Sequence, residues 1–171
     1  MLRYLVSRMP SRRSSQAGYS LIELVITVGM ILVITTWAMP SFLNYLRSSR
    51  VQAGARTVSA YLNEGRQLAI RTNGPVCVVH TTSTMQFRTT NCVGTIIFPP
   101  GLAGASGNVR LPENISLSLT TGTSAIFQPL GNTAAGTTYT VTDVPSGRTL
   151  RVIVAASGRV CLAAATATVC P

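Results

Sequence analysis

There is no lysine in this chain: all 14 basic residues are arginine. Acids are scarce as well, with Glu23, Glu64, Glu113 and Asp143 the four among 171 residues, and there is one histidine, His80. Each shortage removes a chemistry. Without a lysine, the evenly spaced Gly101, Gly104 and Gly107 cannot form a phosphate-binding P-loop, and they lack the helix context of a dinucleotide site. Four carboxylates scattered singly make no acid–base pair, and the many Ser and Thr hydroxyls have no base beside them. With one histidine and no Cys-x-x-Cys spacing, a zinc site would need an unusual ligand set. His80 lies between Val79 and Thr81 in a strand-like run, which suits a structural or surface place. The composition predicts a protein with no catalytic site, no metal and no cofactor.

Hydrophobic residues make up 46% of the chain and charged residues 11%. That fills a small core with apolar material left over, and the length suits one domain. The net charge is +10. Arg3, Arg8, Arg12 and Arg13 precede Gly18; beyond it, ten arginines face four acids, a balance of +6. Such a surface attracts nucleic acid or anionic lipid, but charge alone names no partner, and genome composition accounts for the choice of arginine. Four cysteines, all beyond the apolar segment, fit an oxidising compartment. We read them as two local disulfides, Cys77–Cys92 and Cys161–Cys170, among the three pairings a sequence with four cysteines permits. Asn114-Ile115-Ser116 matches the N-glycosylation acceptor pattern, with low specificity.

The N-terminal third sets the class. From Tyr19 to Met39 runs a 21-residue apolar stretch whose one charge is Glu23. About 20 apolar residues span a bilayer as a helix, and the arginines before it place the N-terminus in the cytoplasm and the remainder outside. A secretory signal peptide carries its small-residue cleavage site after the apolar run. Here Gln16-Ala17-Gly18 come before it, so a cut there leaves the apolar helix on the mature protein. A carboxylate inside a membrane segment is costly and is by default a functional residue. A cut after Gly18 creates a partner for it, the new α-amino group of Tyr19. Pairing that cation with Glu23 of a neighbouring subunit would fix axial register, because an unpaired buried charge penalises every other register.

Gly18-Tyr19-Ser20-Leu21-Ile22-Glu23-Leu24 resembles the type IV prepilin signature. The resemblance implies cleavage after Gly18 by prepilin peptidase, N-methylation of Tyr19, and an assembly role for Glu23, five residues past the cut. Pro40, 22 residues past the cut, matches a frequent pilin helix kink, and Gly29 is a second candidate flexible point. Tyr stands where Phe is commoner, and the leader is long; a start at Met9 would leave a leader of more usual length.

Beyond Pro40 the apolar residues Leu43, Leu46, Val51, Ala55, Val58, Leu62, Leu68 and Ala69 recur at helical spacing, and Asn73-Gly74-Pro75 is a stop signal. One helix from Leu21 to Thr72 would measure roughly 75–80 Å at 1.5 Å per residue. After Pro75, short runs of Val, Ile, Thr and aromatics alternate with turn residues. They predict strands at 76–80, 85–89, 95–98, 115–119, 125–128, 138–142, 150–155 and 159–163, with a loop over 99–108. The expected fold is α+β: a leader (1–18), the transmembrane half of a helix (19–40), its amphipathic half (41–73) and an antiparallel β-rich domain (74–171).

The segments Phe127-Gln128-Pro129-Leu130-Gly131-Asn132, Thr138–Val141, Leu150–Val154 and Ser157-Gly158-Arg159-Val160 are similar to the FimT/GspH group of minor pilins and pseudopilins. That resemblance implies a structural subunit of a type II secretion pseudopilus or type IV pilus. Its partners would be other pilins, prepilin peptidase and inner-membrane lipid, and its place a single-pass inner-membrane protein with a periplasmic C-terminal domain. The alternative is a minor pilin that captures DNA for natural transformation. Its candidate contacts are Arg148, Arg151 and Arg159, provided they share one face and grip phosphates. The GRxR motif implicated in that branch reads Gly158-Arg159-Val160-Cys161 here, with Cys161 at its second arginine.

Overall fold

The computed structural model describes residues 19–90, 92–98 and 107–170. Residues 1–18, expected as a leader ending at Gly18, lie outside the described residues, as does most of the loop expected over 99–108. Helix α1 spans Leu21–Thr72, and its helical pattern runs through both Gly29 and Pro40. The chain divides into two compact units between Ser41 and Phe42.

In the first unit, every described side chain is exposed. Leu21 to Met39 are apolar apart from Glu23, Gly29 and three threonines. Those threonines hide their hydroxyls: Thr27 donates to the Leu24 carbonyl at 2.9 Å, Thr35 to Ile31 at 2.9 Å and Thr36 to Leu32 at 2.8 Å. Bonding back to the preceding turn leaves no polar group seeking an outside partner, which an apolar environment requires.

In the second unit, α1 buries Val51, Gly54, Ala55, Val58, Leu62, Gly65, Leu68 and Ala69. The steps of three and four make one stripe. Asn73 ends the helix in the left-handed region (φ 48°), and the Gly74 N–H closes on the Ala69 carbonyl at 3.2 Å, a C-terminal cap.

Among the described residues, nine strands follow: β1 (Val76–His80), β2 (Thr84–Thr89), β3 (Ile96–Ile97), β4 (Asn108–Arg110), β5 (Ile115–Thr121), β6 (Ala125–Phe127), β7 (Thr137–Asp143), β8 (Arg148–Val154) and β9 (Val160–Ala163). They form two antiparallel sheets. The first has the order β3-β2-β1-β6, with β4 sharing the β3 edge of β2; the second is β5-β7-β8-β9. The sequence predicts eight strands, and β4 is the addition: Val109 alone of its three residues is buried, too brief an alternation to read beside a glycine-rich loop.

Both sheets and the helix stripe share one core, which includes Phe87, Phe127, Tyr139, Val152 and Leu62. Two helix glycines make room for it. A Cβ on Gly54 would lie 3.0 Å from Ile115 of β5, and one on Gly65 would lie 2.8 Å from Val78 of β1 and 3.1 Å from Phe87 of β2. Each glycine thus admits one of the two sheets.

Candidate functional site

At the N-terminal edge, the Ser20 carbonyl accepts from Glu23 N–H at 3.0 Å and Leu24 N–H at 3.2 Å, which starts the helix. Glu23 therefore stands in the first turn, on an exposed surface. A carboxylate there complements the positive end of the helix dipole. Tyr19 is exposed as well. Both groups stand at the start of an apolar helical segment whose side chains, among the described residues, are all exposed through Ser41.

The cysteines are joined as Cys77–Cys92 and Cys161–Cys170, with Cα–Cα distances of 5.0 and 5.8 Å. The first ties β1 to the turn after β2. The second folds the last residues back over β8, where the Arg151 guanidinium donates to the Ala167 carbonyl at 2.9 Å.

The three candidate arginines do not converge. On β8, side chains alternate between faces. Arg148 falls in phase with Leu150, Val152 and Val154, which belong to the core side, and its guanidinium donates to the Asn44 carbonyl of α1 at 3.4 Å. Arg151, three positions on, takes the opposite face beneath the C-terminal tail. Arg159 follows the β8–β9 turn at the far end of the strand. The strand expected at 150–155 left Arg148 outside it; with β8 beginning at Arg148, the three-residue step to Arg151 reverses the face.

The glycines of the FimT/GspH-like segments do converge. Gly131 and Gly158 both have φ of +79°, and a Cβ on Gly158 would lie 1.8 Å from the Gly131 carbonyl oxygen. Around this contact, the Thr133 N–H donates to Ala156 at 2.9 Å and its hydroxyl to Ala155 at 3.0 Å. The β6–β7 loop is so clasped to the β8–β9 turn, joining the edge of one sheet to the other. Gly131 also packs on Arg66 and Ile70 near the end of α1. The clasp explains what these motif residues do: they hold helix and sheets together.

His80 and Tyr139 meet edge to face, with ring centroids 5.3 Å apart. Burial pushes the Tyr139 phenol up to about 12, partly opposed by the Ala125 N–H it accepts at 2.9 Å. Burial also lowers the His80 pKa, and its Nδ1 has no hydrogen-bond partner. A phenol held protonated beside a histidine held neutral is a packing pair, with no nucleophile between them. A cleft of about 380 Å³ at the end of the second sheet is lined by Thr121, Thr137, Thr138, Ile153 and Val169 among others. None of its lining residues is an acid or a base. Among the described residues, no three His, Cys, Asp or Glu gather as metal ligands.

A family model, "Type II transport protein GspH", matches residues 54–158. Three solved structures share the fold. The minor pseudopilin EpsH from the type 2 secretion system of Vibrio cholerae is 16% identical, with a TM-score of 0.54 over 69% of this chain and 99% of that one. E. coli GspH is 14% identical, with a TM-score of 0.55 over 70% and 92%. The type IV minor pilin FimU of Pseudomonas aeruginosa is 12% identical, with a TM-score of 0.53 over 69% and 91%. No curated protein matches in sequence.

Proposed function

The chain belongs to the GspH family, and from that membership we propose that it is a minor pilin or pseudopilin, made as a prepilin, cut after Gly18 by prepilin peptidase and methylated on Tyr19. It enters a type II secretion pseudopilus or a type IV pilus as a structural subunit and runs no reaction of its own. Before assembly its helix spans the inner membrane with the N-terminus cytoplasmic and the β domain periplasmic.

One observation carries this reading. The first half of α1 exposes an apolar surface from Leu21 to Leu43 with one carboxylate at its beginning. Lipid covers such a surface in the membrane, and the helices of other subunits cover it in a filament. In the filament, the Tyr19 amine of one subunit and Glu23 of the next pair in apolar surroundings, where attraction between charges is strong and an unpaired charge is costly. That contrast selects one stagger.

N-terminal sequencing of membrane-extracted protein tests the cleavage: a mature chain beginning anywhere but Tyr19 sinks it. Glu23→Ala should insert normally, since losing an intramembrane charge only eases insertion, and should fail to enter filaments in a pull-down. Whether the filament partners recovered with wild type are pseudopilins or pilins identifies the machine.

A further inference from the structure

We propose that the β7–β8 hairpin tip, residues 143–148, and the adjoining turns of α1 form a membrane-docking face. It would rest on anionic phospholipid headgroups at the outer surface of the bilayer that holds the apolar helix. The inference rests on the reading of that helix as a membrane span.

Within the unit that begins at Phe42, the fold sets the hairpin beside the first turns of the helix. β8 starts beside the early turns of the domain's helix: Arg148 donates to Asn44, and a cleft there is lined by Ser48, Val51, Gln52, Arg148 and Leu150 among others. The opposite end of β8 turns at Gly158, against Gly131, which packs on Arg66 and Ile70. Asn44 stands five residues past Met39, the end of the apolar stretch. That separation is at most ~18 Å of chain. Headgroups extend ~5–8 Å beyond the hydrocarbon on each side, and the surface potential reaches a further ~8 Å at physiological salt.

The chemistry at this level suits a lipid surface. Arg47, Arg50 and Arg148 are exposed. Of the acids at this end of the domain, Asp143 is fully buried and accepts the Ser146 hydroxyl; Glu113, in the β4–β5 connection, is exposed. The same two segments also carry exposed apolar side chains: Phe42 at 56% and Tyr45 at 69% on the helix, and Val144 at 62% on the hairpin tip. Guanidinium forks match phosphate, aromatic rings favour the headgroup layer, and an apolar tip finds the acyl boundary beneath it. Nucleic acid would satisfy the arginines but offers no apolar layer for Val144 and Phe42. The tip is also preformed. The Asp143 carbonyl accepts from Ser146 N–H at 3.2 Å and Gly147 N–H at 2.8 Å, and Val144 N–H donates to Asn114 at 2.8 Å.

The test uses the full mature chain in vesicles whose lipids are brominated near the glycerol end, with tryptophan quenching as the readout. In wild type, Trp37 is the one tryptophan, and it should be quenched whatever the lipid charge. In the Trp37→Phe, Val144→Trp variant, quenching should be strong in phosphatidylglycerol-rich vesicles and lost in phosphatidylcholine or at high salt. Adding Arg47→Gln and Arg148→Gln should lower the docking equilibrium about five-fold each, the equivalent of ~1 kcal/mol per arginine at a membrane surface. Arg47→Lys with Arg148→Lys should keep most of it, which a merely structural role for the arginines would not. Quenching at Val144→Trp that ignores lipid charge, survives the Gln pair, or falls as far with the Lys pair overturns the proposal. So does its loss on adding double-stranded DNA, which would reassign the arginines to nucleic acid. An unquenched Trp37 would instead defeat the membrane span itself, and the proposal with it.

Discussion

A methyl group added at Gly158 has nowhere to go. It would collide with the Gly131 carbonyl, a backbone atom held by the clasp, and it would sit at a positive φ that costs a side chain ~1–2 kcal/mol by itself. Gly158→Ala should therefore lower unfolding stability by at least ~2 kcal/mol, read from the urea midpoint of a soluble chain beginning at Phe42. His80 gives a pH dependence at the same scale. Burial holds its folded pKa below the usual ~6.5, so the unfolded chain takes up a proton more readily than the folded one. Stability should be full above ~6.5 and fall as pH drops from there to the lowered folded value, levelling off below it. Urea midpoints at neutral and acid pH, compared with those of His80→Phe, check this. An equal acid loss in both proteins would show that His80 is not its source.

At the scale of elements, the helix stripe and the sheets are fitted by subtraction. Gly65→Ala ought to favour the isolated helix by ~1 kcal/mol. In the protein it should destabilise, because the new Cβ meets the stiff, fully buried Val78 and the ring of Phe87, and overpacking costs ~1–3 kcal/mol. Gly29→Ala meets nothing within 4 Å and should leave the folding of the domain unchanged. Thermal unfolding of both variants separates packing from propensity; a stabilised Gly65→Ala would refute the close approach. The Cys77–Cys92 bridge closes a 15-residue separation, for which loop-closure entropy gives ~3 kcal/mol. Reduction should lower the denaturation midpoint accordingly, and Cys77→Ala with Cys92→Ala should mimic that part of the loss.

For the molecule as a whole, the core is not confined to the β-rich region. Val51, Ala55, Val58, Leu62, Leu68 and Ala69 contribute to it from the helix. A chain that begins at Gly74 loses these side chains and uncovers the sheets they pack on, so it should aggregate or remain unfolded. A chain that begins at Phe42 should fold and stay soluble, since it keeps the compact unit and drops the apolar span. Circular dichroism and gel filtration of the two fragments distinguish them; a well-folded Gly74 fragment would contradict the shared core.

The sequence by itself determined what is local. Helix α1 was legible from Leu21 to Thr72 because hydropathy and three-to-four spacing act within a few turns, and its end because Asn73-Gly74-Pro75 stops a helix wherever it stands. Most strands were legible to within two or three residues for the same reason, and the motif around Glu23 needs no tertiary contact to be read. Only the tertiary structure decided what depends on partners distant in sequence: the division of the strands between two sheets, the short β4, and the start of β8 at Arg148, paired with Asp143 of β7. It also decided that Gly131 and Gly158 touch and that Gly54 and Gly65 are the notches for the two sheets. A strand's neighbours and the space a missing Cβ leaves are fixed by long-range register, and no window of the chain contains both sides of such a contact.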